Sequence, residues 1–268
     1  MQGAPFTLTL FTNDPVLARA ADEARVDRIG PDLESLGKRE RQEHLDTRMS
    51  DHSLEDVAAV RAVLRNAKAF VRVNPLNPGS RMEVESLLEA GVQVLMLPMF
   101  RSAPEVATFV DMVGGRARVV LLLETAAAGL RLRDIVRVPG VDEIHFGLND
   151  LRLSLGVASH FEVLASDWME LLCRTVGEAG IPYGIAAVAQ SGDAHLPVPS
   201  DLAYAQYARL GSQGALLARC FFKEGMDLQE EVRRIRERMD HFRELESPAL
   251  AGWREALIEH LRDHSPVS

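Results

Sequence analysis

The residues best suited to chemistry stand at the ends of apolar runs. Glu124 follows Val119-Val120-Leu121-Leu122-Leu123, and Asp150 closes Ile144-His145-Phe146-Gly147-Leu148-Asn149-Asp150. One strand–helix–strand unit separates them, so both carboxylates fall on adjacent strands at the same end of a sheet. Two hard oxygen ligands there, with waters and a substrate completing the shell, make a site for Mg²⁺ or Mn²⁺. The same residues also suit the starts of the following helices, where acidic side chains are common. Arg72 lies inside Phe70-Val71-Arg72-Val73-Asn74, and an arginine among apolar strand residues needs a negative partner. It can clamp an anionic substrate oxygen with its planar fork; the alternative, an internal ion pair with Asp32, Glu34 or Glu124, does not exclude that role. His52 ends the longest connection of the chain, and an imidazole titrating near neutrality suits proton transfer. It also reads as a helix N-cap or a solvent-facing loop residue. His145 alternates along its strand and reads as packed. Cys220 sits beside Phe221-Phe222 and also reads as packing, while Ser191-Gly192-Asp193 is a turn able to line a pocket.

Regularly alternating elements must position these groups. Strands are expected at Phe6–Phe11, Asp27–Leu33, Phe70–Val73, Val92–Leu97, Val119–Leu123, Glu143–Phe146, Tyr183–Val188 and Ala215–Ala218. Helical spacing of apolar residues falls between them at Asp14–Glu23, Ser53–Asn66, Ser80–Ala90, Ala103–Val113, Ala127–Val136, within Phe161–Ala179, and near Leu202–Leu210. Asn13 or Asp14 caps the first helix ahead of Pro15, and Gly91 and Gly180 mark helix ends. Eight strand–helix units with no Gly-, Ser- or Pro-rich linker predict a single (β/α)8 TIM barrel over residues 1–268. An open doubly wound sheet would want a Gly-rich turn after the first strand, and Phe11-Thr12-Asn13-Asp14 is not one. The connection from Glu34 to Asp51 opens at the C-terminal face, where barrels work.

Four segments, in order, carry a family resemblance. They are Phe70-Val71-Arg72-Val73-Asn74-Pro75; Leu88-Glu89-Ala90-Gly91-Val92 leading to Leu97-Pro98; Leu123-Glu124-Thr125; and Gly140 to Leu151, with Ser154-Leu155-Gly156. The chain resembles the HpcH/HpaI aldolase/citrate lyase family, metal-dependent pyruvate aldolases on a phosphoenolpyruvate-type barrel. The resemblance implies that Glu124 and Asp150 ligate a divalent metal, Mg²⁺ or Mn²⁺, and that Arg72 stabilises an enolate oxygen. It also implies that Glu34 lies close to the metal and that the turn at Gly147–Asp150, with Gly147 and Asn149, receives the substrate carboxylate. The sequence departs from the pattern twice. Ser35 follows Glu34 where classical members carry a proton-transferring histidine, and Leu148 replaces a common proline. His52 is the expected substitute base.

These readings converge on a carbon–carbon lyase joining a pyruvate-like 2-keto acid to an aldehyde, or cleaving the product. A citryl- or malyl-CoA type lyase, a barrel that binds organic acids without catalysis, and a phosphoenolpyruvate-using condensation are the alternatives. No Schiff-base lysine is required, in keeping with a chain whose lysines are Lys38, Lys68 and Lys223. A formal charge of −9 disfavours nucleic-acid binding. No apolar run approaches bilayer length, so no membrane partner is expected. Cys173 and Cys220 without metal-like spacing, and a start lacking a signal pattern, suit a cytoplasmic protein. At the C-terminal end, Leu228, Val232, Ile235, Met239 and Phe242 form a narrow seam on a helix over Asp227–Leu245, followed by a helix near Ala251–Arg262. The region 225–264 is expected to serve a homo-oligomer, with Asp227–Leu245 packed against a neighbouring chain; the alternative is that both helices fold back on their own barrel.

Overall fold

A computed structural model describes residues 5–36, 52–223 and 225–264. Most of the Glu34–Asp51 connection, including Lys38 and His44, therefore lies outside the described residues. The strands are β1 (Thr7–Phe11), β2 (Arg28–Gly30), β3 (Lys68–Arg72), β4 (Val94–Leu97), β5 (Arg118–Leu123), β6 (Glu143–Phe146), β7 (Tyr183–Ile185), β8 (Ala187–Val188) and β9 (Gly214–Leu217). All neighbours pair in parallel, in the order β7-β6-β5-β4-β3-β2-β1-β9-β8. The expected strand Tyr183–Val188 is broken at Ala186, which takes a left-handed φ of 47°. Its first piece bonds to β6 and its second to β9, so one interrupted strand carries the barrel round from one flank to the other.

Alternate strand residues divide two apolar layers, as the period of two requires. Phe70, Val94, Met96, Val120 and Leu122 fill the barrel with Phe11 against them. Val71, Leu95, Leu97, Val119, Leu121 and Leu123 face the surrounding helices. Gly30 is fixed by a close approach: a Cβ there would stand 1.6 Å from the Phe70 carbonyl oxygen. At the N-terminal end of the interior, Arg28 is forked onto Glu143, with one bond of 2.9 Å, and both are buried.

Two expected helices are each divided. Residues 127–136 become Ala126–Leu130 and Leu132–Ile135, and residues 161–179 become His160–Ala165 and Asp167–Glu178. Ser166 causes the second break, because its hydroxyl accepts from the Met169 N–H as the cap of a new helix. A helix over Leu148–Leu155 follows β6 directly, where a turn was expected.

The C-terminal seam requires a correction. Val232, Ile235, Met239 and Phe242 are already buried within this chain, because the helix Leu228–Arg243 covers its own barrel. Arg236 reaches Asp27, Arg238 reaches Asp201, and Arg243 lies over the Phe6 ring. The last helix, Ser247–His264, runs longer at both ends than expected and sets Trp253 edge-on to Phe242. A repeat of 3.5 residues fits a barrel-covering helix as well as a coiled coil when flanking arginines form the rim.

His145 lies inside the barrel, 4% exposed, and its Nε2 donates to the Ala186 carbonyl at 3.0 Å, which fixes the break in the seventh strand. Burial holds this imidazole below its ordinary value of 6.5. The unfolded chain therefore binds the proton more readily, and stability present above about pH 6.5 declines as pH falls toward the lower folded value. His160 is shifted in the same direction, also by burial. Urea unfolding between pH 7.5 and 5 is expected to show a smaller loss of stability in His145→Gln than in the parent; equal slopes would remove His145 from the explanation.

Candidate active site

Five successive strand ends converge at the C-terminal mouth. After β2 the chain forms a bridge between Asp32 and Arg72, and the Leu33 N–H donates to the Arg72 carbonyl at 2.9 Å. This extra pairing brings Asp32 and Glu34 beside the end of β3. The Arg72 Nε donates to Asp32 at 2.8 Å and Nη2 at 2.7 Å, and Nη2 lies 3.1 Å from Glu34 Oε2. The guanidinium rests over the Phe11 ring, 5.1 Å from its centroid. Asp32 and Glu34, with Glu124 from the end of β5, raise its pKa against the opposing effect of burial, the largest single influence. Arg72 is a permanent cation here. The internal pairing expected of it is present, and among the described residues Nη1 keeps both N–H groups for another acceptor.

Glu124 is 2% exposed. Its Oε1 accepts the Met99 N–H at 3.0 Å, a bond aimed by the left-handed φ of 57° at Met99, just after Pro98. Gly147 leaves room on the other side, because a Cβ there would lie 3.0 Å from Glu124 Oε2. Burial drives the Glu124 carboxyl well above the ordinary carboxylate range. Arg72 opposes that rise, while the negative charges of Glu34 and Asp150 add to it. Neither Glu124 nor Asp150 is an N-cap: Thr125 caps the helix after β5 with its hydroxyl, and Gly147 occupies the cap position before Leu148–Leu155.

Asp32, Glu34 and Glu124 thus gather around a single guanidinium, and Asp150 adds its negative charge beside Glu124. Hard oxygens with an excess of negative charge suit a hard divalent cation. Among the described residues no group of three or more His, Cys, Asp or Glu is arranged to hold a metal, so such an ion would take its remaining ligands from water and substrate. The first turn of Leu148–Leu155 presents backbone N–H groups beyond Gly147, a natural seat for a carboxylate. The Asn149 side chain is exposed and accepts from Arg152 at 3.3 Å, so a substrate contact from Asn149 falls to its backbone.

His52 is brought to the same mouth, where its Nδ1 accepts the Asp32 N–H at 2.9 Å. It is not a cap, since Ser53 holds that position in a capping box with Asp56. With Nδ1 accepting, a neutral ring carries its proton on Nε2 and acts there as a donor. Ser35 and Leu36 direct their N–H groups to Asn74 Oδ1, and Asn74 in turn donates to Glu83. In the turn beyond β8, Asp193 is paired with Lys223 at 2.7 Å. Sequence reasoning did not find Met99, Phe11 or Asn74. A left-handed Met, an aromatic beneath a guanidinium and a loop-root asparagine have no signature outside the fold.

The family profile of HpcH/HpaI aldolase/citrate lyase matches residues 12–189. No curated protein matches the chain. Among solved structures, an HpcH/HpaI aldolase/citrate lyase family protein from Burkholderia cenocepacia superposes with a TM-score of 0.63 at 19% identity, covering 89% of this chain and 95% of its own. An HpcH/HpaI aldolase from Desulfitobacterium hafniense gives 0.60 at 18% identity, with 90% and 94% covered. The citrate synthase SbnG gives 0.59 at 17% identity, with 94% of each chain covered. At such identities these likenesses speak for the fold alone.

Removing the cation tests the electrostatic balance of the mouth directly. Arg72→Met would leave the buried carboxylates without their partner and is expected to cost about 3–5 kcal/mol. Urea unfolding reads this loss, and a cost below about 1 kcal/mol would place the guanidinium outside the balance.

Proposed function

Since the chain belongs to the HpcH/HpaI aldolase/citrate lyase family, we propose that it is a divalent-metal-dependent carbon–carbon lyase that joins a pyruvate-like 2-keto acid to an aldehyde or cleaves the product. The supporting observation is the convergence of Glu124, Asp150 and Arg72 at one mouth, with the carboxylates in excess. Glu124 and Asp150 would hold Mg²⁺ or Mn²⁺, and the ion would supply Lewis acidity toward the keto acid. The first turn after Gly147 seats the substrate carboxylate. Arg72, aimed by Asp32 and Glu34, offers Nη1 to the carbonyl oxygen on which negative charge develops as the adjacent carbon loses its proton. In the forming direction the proton leaving that carbon passes to water, the carbon bonds to the aldehyde carbon, and the aldehyde oxygen takes up a proton from water; cleavage reverses each step.

His52 is assigned a positioning role, because its Nδ1 is engaged by the Asp32 N–H and that contact sets the carboxylate holding Arg72. The same reading includes self-association, through surfaces other than the covered seam.

The metal is tested first. Mn²⁺ titration by calorimetry is expected to show one site whose affinity falls as pH is lowered, since the carboxylates must ionise to bind. Glu124→Gln and Asp150→Asn should each abolish binding; saturable binding in both would remove these ligands. Activity is sought by offering pyruvate, oxaloacetate and glyoxylate-type donors with aldehydes, with and without Mn²⁺. Once a substrate pair is found, Arg72→Lys should retain the fold and lose about 100-fold in turnover, because an ammonium cannot reproduce the planar fork. His52→Ala should lower turnover while leaving the shape of the pH–rate profile intact. Loss of an ionisation near neutrality would instead make His52 the base.

A further inference from the structure

The opposite mouth of the barrel has a different electrostatic character. A cavity of about 470 Å³ opens at the N-terminal end, lined by Arg25, Asp27, Arg28, Lys68 and Arg236 among others. Four cations and one carboxylate are an unusual concentration in a chain of formal charge −9. The carboxylate is already committed: Asp27 accepts the Leu8 N–H at 2.7 Å and the Arg236 guanidinium at 2.9 Å. Arg28 is likewise neutralised by Glu143 from inside the barrel. Among the described residues, the Arg25 side chain donates to Asn66 at 2.7 Å, and Asn66 in turn donates to Asp22. Among the described residues, Arg25 and Lys68 therefore face no carboxylate at ion-pair distance. Arg25 also borders a neighbouring depression that carries Glu23, Glu230 and Glu237, but within this cavity the two cations meet no uncommitted carboxylate, and such a concavity raises the local concentration of anions.

The backbone gives a second, independent indication. Arg25 follows the first helix with a left-handed φ of 66°. The Val26 N–H closes onto the Ala21 carbonyl at 3.0 Å, the helix-ending pattern in which glycine is favoured. An arginine held in this conformation, which L side chains avoid, delivers its guanidinium to the cavity wall, while its carbonyl accepts from Arg236 at 2.7 Å. Backbone strain persisting at a charged position points to use of the side chain.

We propose that this N-terminal cavity is a binding site for a phosphate group, held between Arg25 and Lys68 and separate from the catalytic mouth. Guanidinium forks match tetrahedral oxyanions, and a lysine supplies a point charge to the same group. The volume accommodates either free phosphate or a small phosphate ester.

The test is calorimetric titration of the full chain at low ionic strength without added metal, using inorganic phosphate in one arm and glycerol phosphate in the other. Saturable binding of one equivalent is expected, and the tighter arm identifies the source of the group. Lys68→Gln and Arg25→Gly should each weaken binding by about tenfold. Among the described residues Lys68 makes no side-chain hydrogen bond or ion pair, and Arg25→Gly should raise the melting midpoint by relieving the left-handed residue, so neither loss would reflect unfolding. Glu124→Gln should leave phosphate binding unchanged. Absence of saturable binding in both arms, retention of affinity in Lys68→Gln and Arg25→Gly, or loss of binding in Glu124→Gln would overturn the proposal.

Discussion

A guanidinium placed among apolar strands has to be matched by negative charge, and the position of Arg72 therefore governs how the C-terminal mouth is built. Asp32 supplies a two-point partner and Glu34 a third contact. To bring them there the chain extends its parallel pairing past the end of β2. Phe11 covers the face of the cation. With the fork held from one edge, the other edge is directed by geometry alone, without the rotamer freedom of an unpaired arginine. The cost of burying the ion is thus turned into orientation, which is what a group stabilising developing charge requires.

Matching one cation with several carboxylates overshoots neutrality, and the excess appears at Glu124. Its carboxyl is driven upward by burial and further by Glu34 and Asp150, against the pull of Arg72 and the Met99 N–H. A carboxylate kept reluctant to ionise gains most from a cation placed beside it, because the ion offsets the same repulsion that raises the pKa. The tightness around it has the same origin. A Cβ at Gly147 would stand 3.0 Å from Glu124, and Met99 takes a left-handed backbone to aim its N–H. These are local departures that strand and helix propensities oppose, and they cluster around one carboxyl group.

How much of this was legible in the sequence follows from the nature of each signal. Arg72 and Glu124 stood out because charge inside or at the end of an apolar run is costly and therefore informative, and the pairing with Asp32 and Glu34 followed from the same cost. The alternation of strands and helices gave the barrel because each period survives in a single sequence. Backbone singularities do not. Ala186 interrupts a strand of good β pattern where the pairing passes from β6 to β9, a property of barrel closure and not of residues 183–188. The helix Leu148–Leu155 was hidden because its start coincides with a motif that resembles a turn. The C-terminal seam was seen but given the wrong partner: apolar spacing says that a face is covered, not by what. Lys38 and His44 lie outside the described residues.

The rule that exposes the catalytic mouth also orders the far end of the barrel. Interior positions alternate from Glu143 and His145 on β6 to Gly147 just past its end, descending from full charge, to a polar ring, to no side chain at all as the chain approaches Glu124. Glu143 is neutralised by Arg28, so the floor carries no net field into the interior. His145 is kept neutral by burial and anchored to Ala186. Phe70, Val94, Met96, Val120 and Leu122 fill the remaining interior. An acidic mouth and a basic mouth can then coexist on one barrel because a neutral apolar plug separates them. Each end is free to carry an excess charge of its own sign, while the buried Arg28–Glu143 pair is matched within the interior between them.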